Sequence, residues 1–229
     1  MIMLNKILFG LYPYIAVTVC LVGCWIRFDR EQYSWKTGSS QLLRGKNFRI
    51  ASNLFHVGII FILMGHIVGL LTPEAIYHHV ITTQAKQILA MVSGGFFGIL
   101  CLVGLLMLIQ RRMTDPRIRN TGNTSDIALL LLLLAQLVLG LSTIVASTQH
   151  LDGSVMVMLA NWAQSIVLLQ PQQAADAIAP VRVVYKLHVL LGMTLILIVP
   201  FTRLVHVISA PVWYLGRRYQ IVRQKAAQG

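Results

Sequence analysis

Charge is what this chain has least of. Asp, Glu, Lys and Arg make up 11% of its 229 residues, against about 25% in a soluble domain. Acidic residues are the scarcest, seven against nineteen basic. Cysteine is scarce too. Cys20, Cys24 and Cys101 all lie inside apolar runs; their number is odd, and none groups with another Cys or a His at metal-ligand spacing. This argues against a disulfide framework or a structural zinc site and for small buried hydrophobes. There is no internal repeat, no low-complexity tract and no sign of a second domain. The first apolar run is too long for a signal peptide and no A-x-A-like cleavage site follows it, so it is expected to stay as a spanning helix. What remains is 56% hydrophobic, with a mean hydropathy of +0.71: a chain whose solvent is lipid. A net charge of +12 would suggest nucleic acid in a soluble protein. Here the basic residues sit between apolar runs and read as topology signals and headgroup contacts.

A spanning helix needs about 20 mostly apolar residues. Five segments qualify, near Ile7–Ile26, Ile50–Leu71, Gln87–Ile109, Ile127–Ala146 and Val183–Ser209. The expected fold is therefore all-α, an integral membrane five-helix bundle of one domain, with residues 210–229 as a tail. Pro13 and Pro200 can bend the first and last helices. In the long loop Ser147–Arg182, residues Val155, Met158, Leu159, Trp162, Ile166 and Leu169 recur at helical spacing after Asp152-Gly153-Ser154. They predict a short amphipathic helix in the interface, which either packs on the rim of the bundle or forms a lid over an access route from the membrane. The stretch Gln170–Pro180 carries no clear pattern.

Seven histidines are present. His78, His79 and His150 fall in loops and read as solvated. His56 and His66 lie on the second helix and His188 and His206 on the fifth, and an ionisable residue inside a span points to function. Depth pairs them. At 1.5 Å per residue, His56 and His66 are about 9 and 24 Å from the start of the second helix. Running the opposite way, His206 and His188 are about 4 and 31 Å from the end of the fifth. His56 then goes with His206 and His66 with His188. Two opposed neutral imidazoles at one depth suit a six-coordinate haem iron, which with both axial positions filled serves electron transfer. Gly58, Gly65, Gly69 and Gly192 could admit a bulky ring, or could serve helix packing, as Gly94 and Gly98 do on the same reading. One feature of spacing fits poorly: His188 and His206 share a helix face, whereas His56 and His66 point about 80° apart. A haem-free histidine transporter is the competing reading from another class; it needs no depth-matched pairs.

Several stretches carry a resemblance. YPYI from Tyr12, WIRFDREQYSW from Trp25, SNLFHVGI from Ser52, GHIVGLLTP from Gly65, WAQSIV from Trp162, LHVLLGMTL from Leu187 and FTRLVHVISAP from Phe201 resemble the gamma subunit of bacterial respiratory nitrate reductase, a dihaem membrane cytochrome b. The resemblance implies axial ligands at His56 and His206 for one haem b and at His66 and His188 for the other. It implies an outer quinol site at Lys86, Gly65 and His66, fed by menaquinol or ubiquinol. It also implies two partners on the cytoplasmic side, an iron–sulfur subunit and a catalytic molybdenum subunit, and a place in the bacterial inner membrane. Phe28 departs from the tyrosine expected there. By position alone Lys86 reads as a snorkelling interface lysine; its place at the quinol site is what the resemblance implies. A cytochrome b of another quinol-linked oxidoreductase shares all the cofactor features.

The loops suggest the orientation. Arg27, Arg30, Lys36, Arg44, Lys46 and Arg49, then Arg111, Arg112, Arg117 and Arg119, and finally Arg217, Arg218, Arg223 and Lys225 lie on one side; Lys6, Lys86, Arg182 and Lys186 lie on the other. Fourteen against four puts the N-terminus outside and the tail in the cytoplasm by the positive-inside rule. Alkaline phosphatase fused after residue 75 or 150 should be active, and after residue 115 or 229 inactive. Activity at 115 or 229 would contradict this topology.

Overall fold

The computed structural model describes residues 2–31, 46–121 and 124–208. The expected tail, Lys36 and Arg44 lie outside them, as do the ends of the stretches from Trp25 and Phe201. Among the described residues every regular element is helical. Five helices are long and apolar enough to cross a membrane: Met3–Arg30, Asn47–Leu71, Thr83–Thr114, Thr124–Ser147 and Val183–Phe201. They bear out the expected all-α five-helix membrane bundle. Four of them run a few residues past the apolar cores into flanking polar residues. The third begins where the Thr82 hydroxyl accepts from the Ala85 N–H at 3.3 Å. It stops at Asp115, the residue before Pro116, where the helical conformation is disfavoured.

The two prolines act differently. The first spanning helix opens with an α-helical turn, Ile2–Asn5, and passes through a π-helical turn, Lys6–Leu11, into Tyr12–Arg30. Pro13 has no N–H for the carbonyl one turn back. That carbonyl, on Phe9, accepts from the buried Trp162 indole at 2.9 Å. Trp162 lies on the amphipathic helix foreseen in the long loop, Ser154–Val167. This helix is packed on the rim: Gln164 Nε2 donates to Leu70 O at 3.0 Å, and the Tyr14 hydroxyl donates to Ile166 O at 3.1 Å. Its start is set by Gly153, at φ +83° with no room for a side chain beside Thr83. The Asp152 carboxylate accepts from the Ser154 hydroxyl at 2.9 Å, and this bond to Ser154 holds its carboxyl below the usual range. The unpatterned stretch contains a further helix, Pro171–Ile178, whose Ala174, Ala175 and Ile178 are buried. A side chain on Gly10 would collide with the Pro171 carbonyl.

Pro200 ends the fifth helix. The regular α-helix covers Val183–Ile198 and gives way to 3-10 turns at Val199–Phe201 and Arg203–Val207, separated by extended Thr202. The expected helix to Ser209 is thus interrupted after Ile198, because Pro200 has no N–H to donate, a break that a continuing apolar run does not reveal. The freed carbonyls are taken up by the first spanning helix. Arg27 donates to Pro200 O at 2.6 Å and to Thr202 O at 3.0 Å, and a side chain at Gly23 would strike the Pro200 ring.

The second and third helices meet through small residues, the packing that brings helix backbones close in lipid. A Cβ at Gly58 would lie 2.7 Å from Cys101 Cβ, and one at Gly104 would overlap the Phe55 backbone nitrogen. All three cysteines are free and buried, as their place in apolar runs suggested. Gly104→Leu should destabilise the bundle by about 1–3 kcal/mol or more through overpacking. Gly95→Ala, with only ordinary contact to Ile144, should cost nothing. Titration of each purified variant into SDS, followed by circular dichroism, checks this; equal midpoints would contradict the close packing at Gly104.

Candidate functional site

Among the described residues the second helix is covered chiefly on one side. Its contact is chiefly with the third helix, while the fifth packs on the first and fourth. Ile60, Phe61, Met64, Ile67 and Val68 are each more than half exposed. A Cβ at Gly65 or Gly69 would meet nothing within 4 Å. The open face carries His66.

His66 and His188 come together there. Their ring centroids are 6.0 Å apart, with the planes at 43°. Two imidazoles bound to opposite sides of one metal, each nitrogen about 2 Å from it, would also have centroids about 6 Å apart. The His66 Nδ1–H donates to Ile62 O at 2.8 Å, which leaves Nε2 as the free acceptor of a neutral ring. His188 is held by a close approach: a Cβ on Gly140 of the fourth helix would lie 3.0 Å from its Cε1. Its buried Nδ1 lies toward the backbone of Gln136 on the fourth helix without a well-formed hydrogen bond.

The second pair is built differently. His56 donates Nδ1–H to Ser52 O at 2.7 Å, and His206 donates to Arg203 O at 2.6 Å. Both rings thereby keep Nε2 free, the tautomer a metal ligand needs. Among the described residues no ring contact joins them. His206 is not on the face of the fifth helix that carries His188. It sits on the 3-10 turn beyond Pro200, so the 18-residue periodicity that gave the two a common face does not apply. The angular mismatch with His56 and His66 loses its basis with it. The turn is fastened by buried Val205 against Cys20 and Cys24 and by Arg27. Arg203 adds an ion pair to Asp126, which also holds Arg112.

Glycine roles divide. Gly58 serves packing against Cys101 rather than room for a ring, and Gly98 packs against Leu141. A Cβ on Gly192 would lie 3.1 Å from the Gln136 amide nitrogen. Gly65 and Gly69 alone among these open onto free space. Lys86, in the first turn of the third helix, lies 3.6 Å over the centroid of the Tyr77 ring. Its Nζ is out of contact with solvent and has no hydrogen-bond partner among the described residues, unlike a snorkelling lysine. His78 stacks on Tyr77 with Nε2 3.2 Å from Glu74. His78, His79 and His150 are exposed. Tyr77, Gly140, Asp126 and Arg203 escaped sequence reasoning. A lone acid opening an apolar helix was the available signal for Asp126; the close approach at Gly140 left none.

The family model described as nitrate reductase gamma subunit matches residues 5–225. The chain is similar to the respiratory nitrate reductase 1 gamma chain of Escherichia coli K12, at 47% identity over 222 residues, covering 97% of this chain and 98% of that one. Its likeness to the respiratory nitrate reductase 2 gamma chain of the same organism is 48% over 222 residues with the same coverage. To the nitrate reductase gamma chain of Bacillus subtilis it is 35% identical over 225 residues, covering 98% of this chain and all of that one.

Proposed function

The chain belongs to the nitrate reductase gamma subunit family, and from that premise we propose that it is the membrane anchor and electron-transfer subunit of a respiratory nitrate reductase. In this reading it lies in the bacterial inner membrane, with its N-terminus outside. It oxidises menaquinol or ubiquinol near the outer face and passes electrons through two b haems to an iron–sulfur subunit and a molybdenum subunit on the cytoplasmic side.

One observation carries the proposal: His66 and His188 face each other from different helices at the spacing of a bis-imidazole iron site. The residues fit the group. His66 and His188 would hold the outer haem, His56 and His206 the inner one, and the open face around Gly65 and Gly69 leaves room for a ring beside the second helix. When bound, the two haems would supply a one-electron relay. The chain's own part is to hold His56, His66 and His206 in the right tautomer. Each Nδ1–H given to a backbone carbonyl fixes ring orientation and raises the basicity of Nε2.

Lys86 would serve the quinol. Its ammonium is already stripped of water and has no acceptor among the described residues, so an arriving quinol oxygen would supply one. The hydrogen bond would steady the anion left as a proton departs. Protons released outside and protons consumed at a cytoplasmic reductase build a gradient without a proton channel. Each charge carried across the full potential costs about 2.3 kcal/mol per 100 mV, which the redox drop must cover.

In the purified complex, a pyridine haemochrome assay should count two b haems in this subunit. His56→Ala or His206→Ala should remove one, and His66→Ala or His188→Ala the other. Loss of the same spectral component in His56→Ala and His188→Ala would overturn the pairing, and absence of b-haem bands would favour a transporter. Lys86→Ala should retain both haems but slow their reduction by quinol by about two orders of magnitude, the loss typical of one such donor. Stopped-flow spectra read both at once; an unchanged rate would make Lys86 a structural lysine.

A further inference from the structure

The turn that carries His206 is gripped at a distance. Asp126 opens the fourth spanning helix and is buried. Its Oδ2 accepts from Arg112 at the end of the third helix and from Arg203 on the 3-10 turn. Arg203 in turn presents its backbone carbonyl to His206 Nδ1 at 2.6 Å. One carboxylate oxygen thus fastens the residue that orients the imidazole. The other side of the turn is tied down by Arg27 on the carbonyls of Pro200 and Thr202. The extended conformation of Thr202 is stabilised by its own hydroxyl, which accepts from Leu204 N–H at 3.3 Å.

We propose that Asp126, acting through Arg203, is a positioning residue that sets the ring orientation of His206, and that this part-buried ion pair replaces the fifth helix as the support of that ligand. The inference rests on the reading of His206 as an axial ligand. No α-helical backbone reaches His206, since the helix ends at Ile198, so its angle needs an outside reference. The charges make the support switchable by one atom. If Asp126 loses its charge, Arg112 and Arg203 become neighbouring cations with no shared anion, and removing one partner of such a part-buried set is unfavourable. Arg203 would then swing away, and its carbonyl and the imidazole hydrogen-bonded to it would turn with it. His66 and His188 stand on regular helix and should not respond.

The test uses the intact complex in membranes. Asp126→Asn and Arg203→Lys are each examined by electron paramagnetic resonance of the oxidised haems and by redox titration. The g values of a low-spin ferric bis-imidazole haem follow the relative angle of its two axial rings, which a remote change of charge does not alter. Both variants should keep two haems and an unchanged outer signal, while the inner component shows displaced g values and a shifted midpoint potential. Selective loss of the inner haem in either variant would support the same role. Unchanged inner g values in both would overturn it, even if the midpoint moved. So would loss of both haems together in both variants, which would make the ion pair a general element of folding. His206→Ala in parallel separates the two levels: if it removes no haem component, the ligand assignment itself fails.

Discussion

A backbone carbonyl in hydrocarbon has no water to turn to, and leaving one unpaired costs several kcal/mol. Regular helix meets this requirement by itself. The informative places in this chain are those where the helix is broken and another group takes over. At Pro13 the indole of Trp162 attends to Phe9 O, and so the amphipathic helix is fastened to the first spanning helix. At Pro200 the guanidinium of Arg27 takes the carbonyls of Pro200 and Thr202, which ties the end of the chain's last span to the end of its first. The breaks are thereby turned into tertiary contacts, and the contacts hold the two ends of the bundle.

The same requirement shapes the histidines. In His56, His66 and His206 the Nδ1–H goes to a carbonyl within one turn of its own chain. The donor that would be costly to bury alone is satisfied locally, and Nε2 is left pointing away as an acceptor. Small residues on the other side of the second helix, Ala51 and Gly58 against Gly104 and Cys101, let it lean closely on the third. Its Gly65–Gly69 face stays clear. Packing and tautomer choice together produce an open apolar wall with free imidazole nitrogens, the setting the proposed haems require.

Much of this was legible in the residues because it depends on length. Five apolar runs give five spans, and rise per residue gives depth whatever the rotation of the helix; depth alone matched His66 to His188, whose rings are 6.0 Å apart. Rotation was less legible. The shared face of His188 and His206 assumed a helix that Pro200 interrupts, and hydropathy does not register a missing N–H. The helix Pro171–Ile178 was silent because its buried face is mostly alanine, between glutamines that say nothing about burial. Asp126 was visible as a lone acid at a helix start, where the macrodipole alone accounts for it. Only the fold shows that arginines from two other elements converge on it. Lys86 was ambiguous for a similar reason: its meeting with Tyr77 joins the two sides of a loop, and spacing along one helix cannot reveal it.

The central claim is that two haems lie between the second and fifth elements, on depth-matched histidines. A cryo-electron microscopy map of the intact complex, with its membrane subunit resolved, tests it most directly. The account predicts two planar densities, one with its iron between His66 and His188 and the other with its iron between His56 and His206. A single density, or an iron bridging His56 to His188, would contradict it.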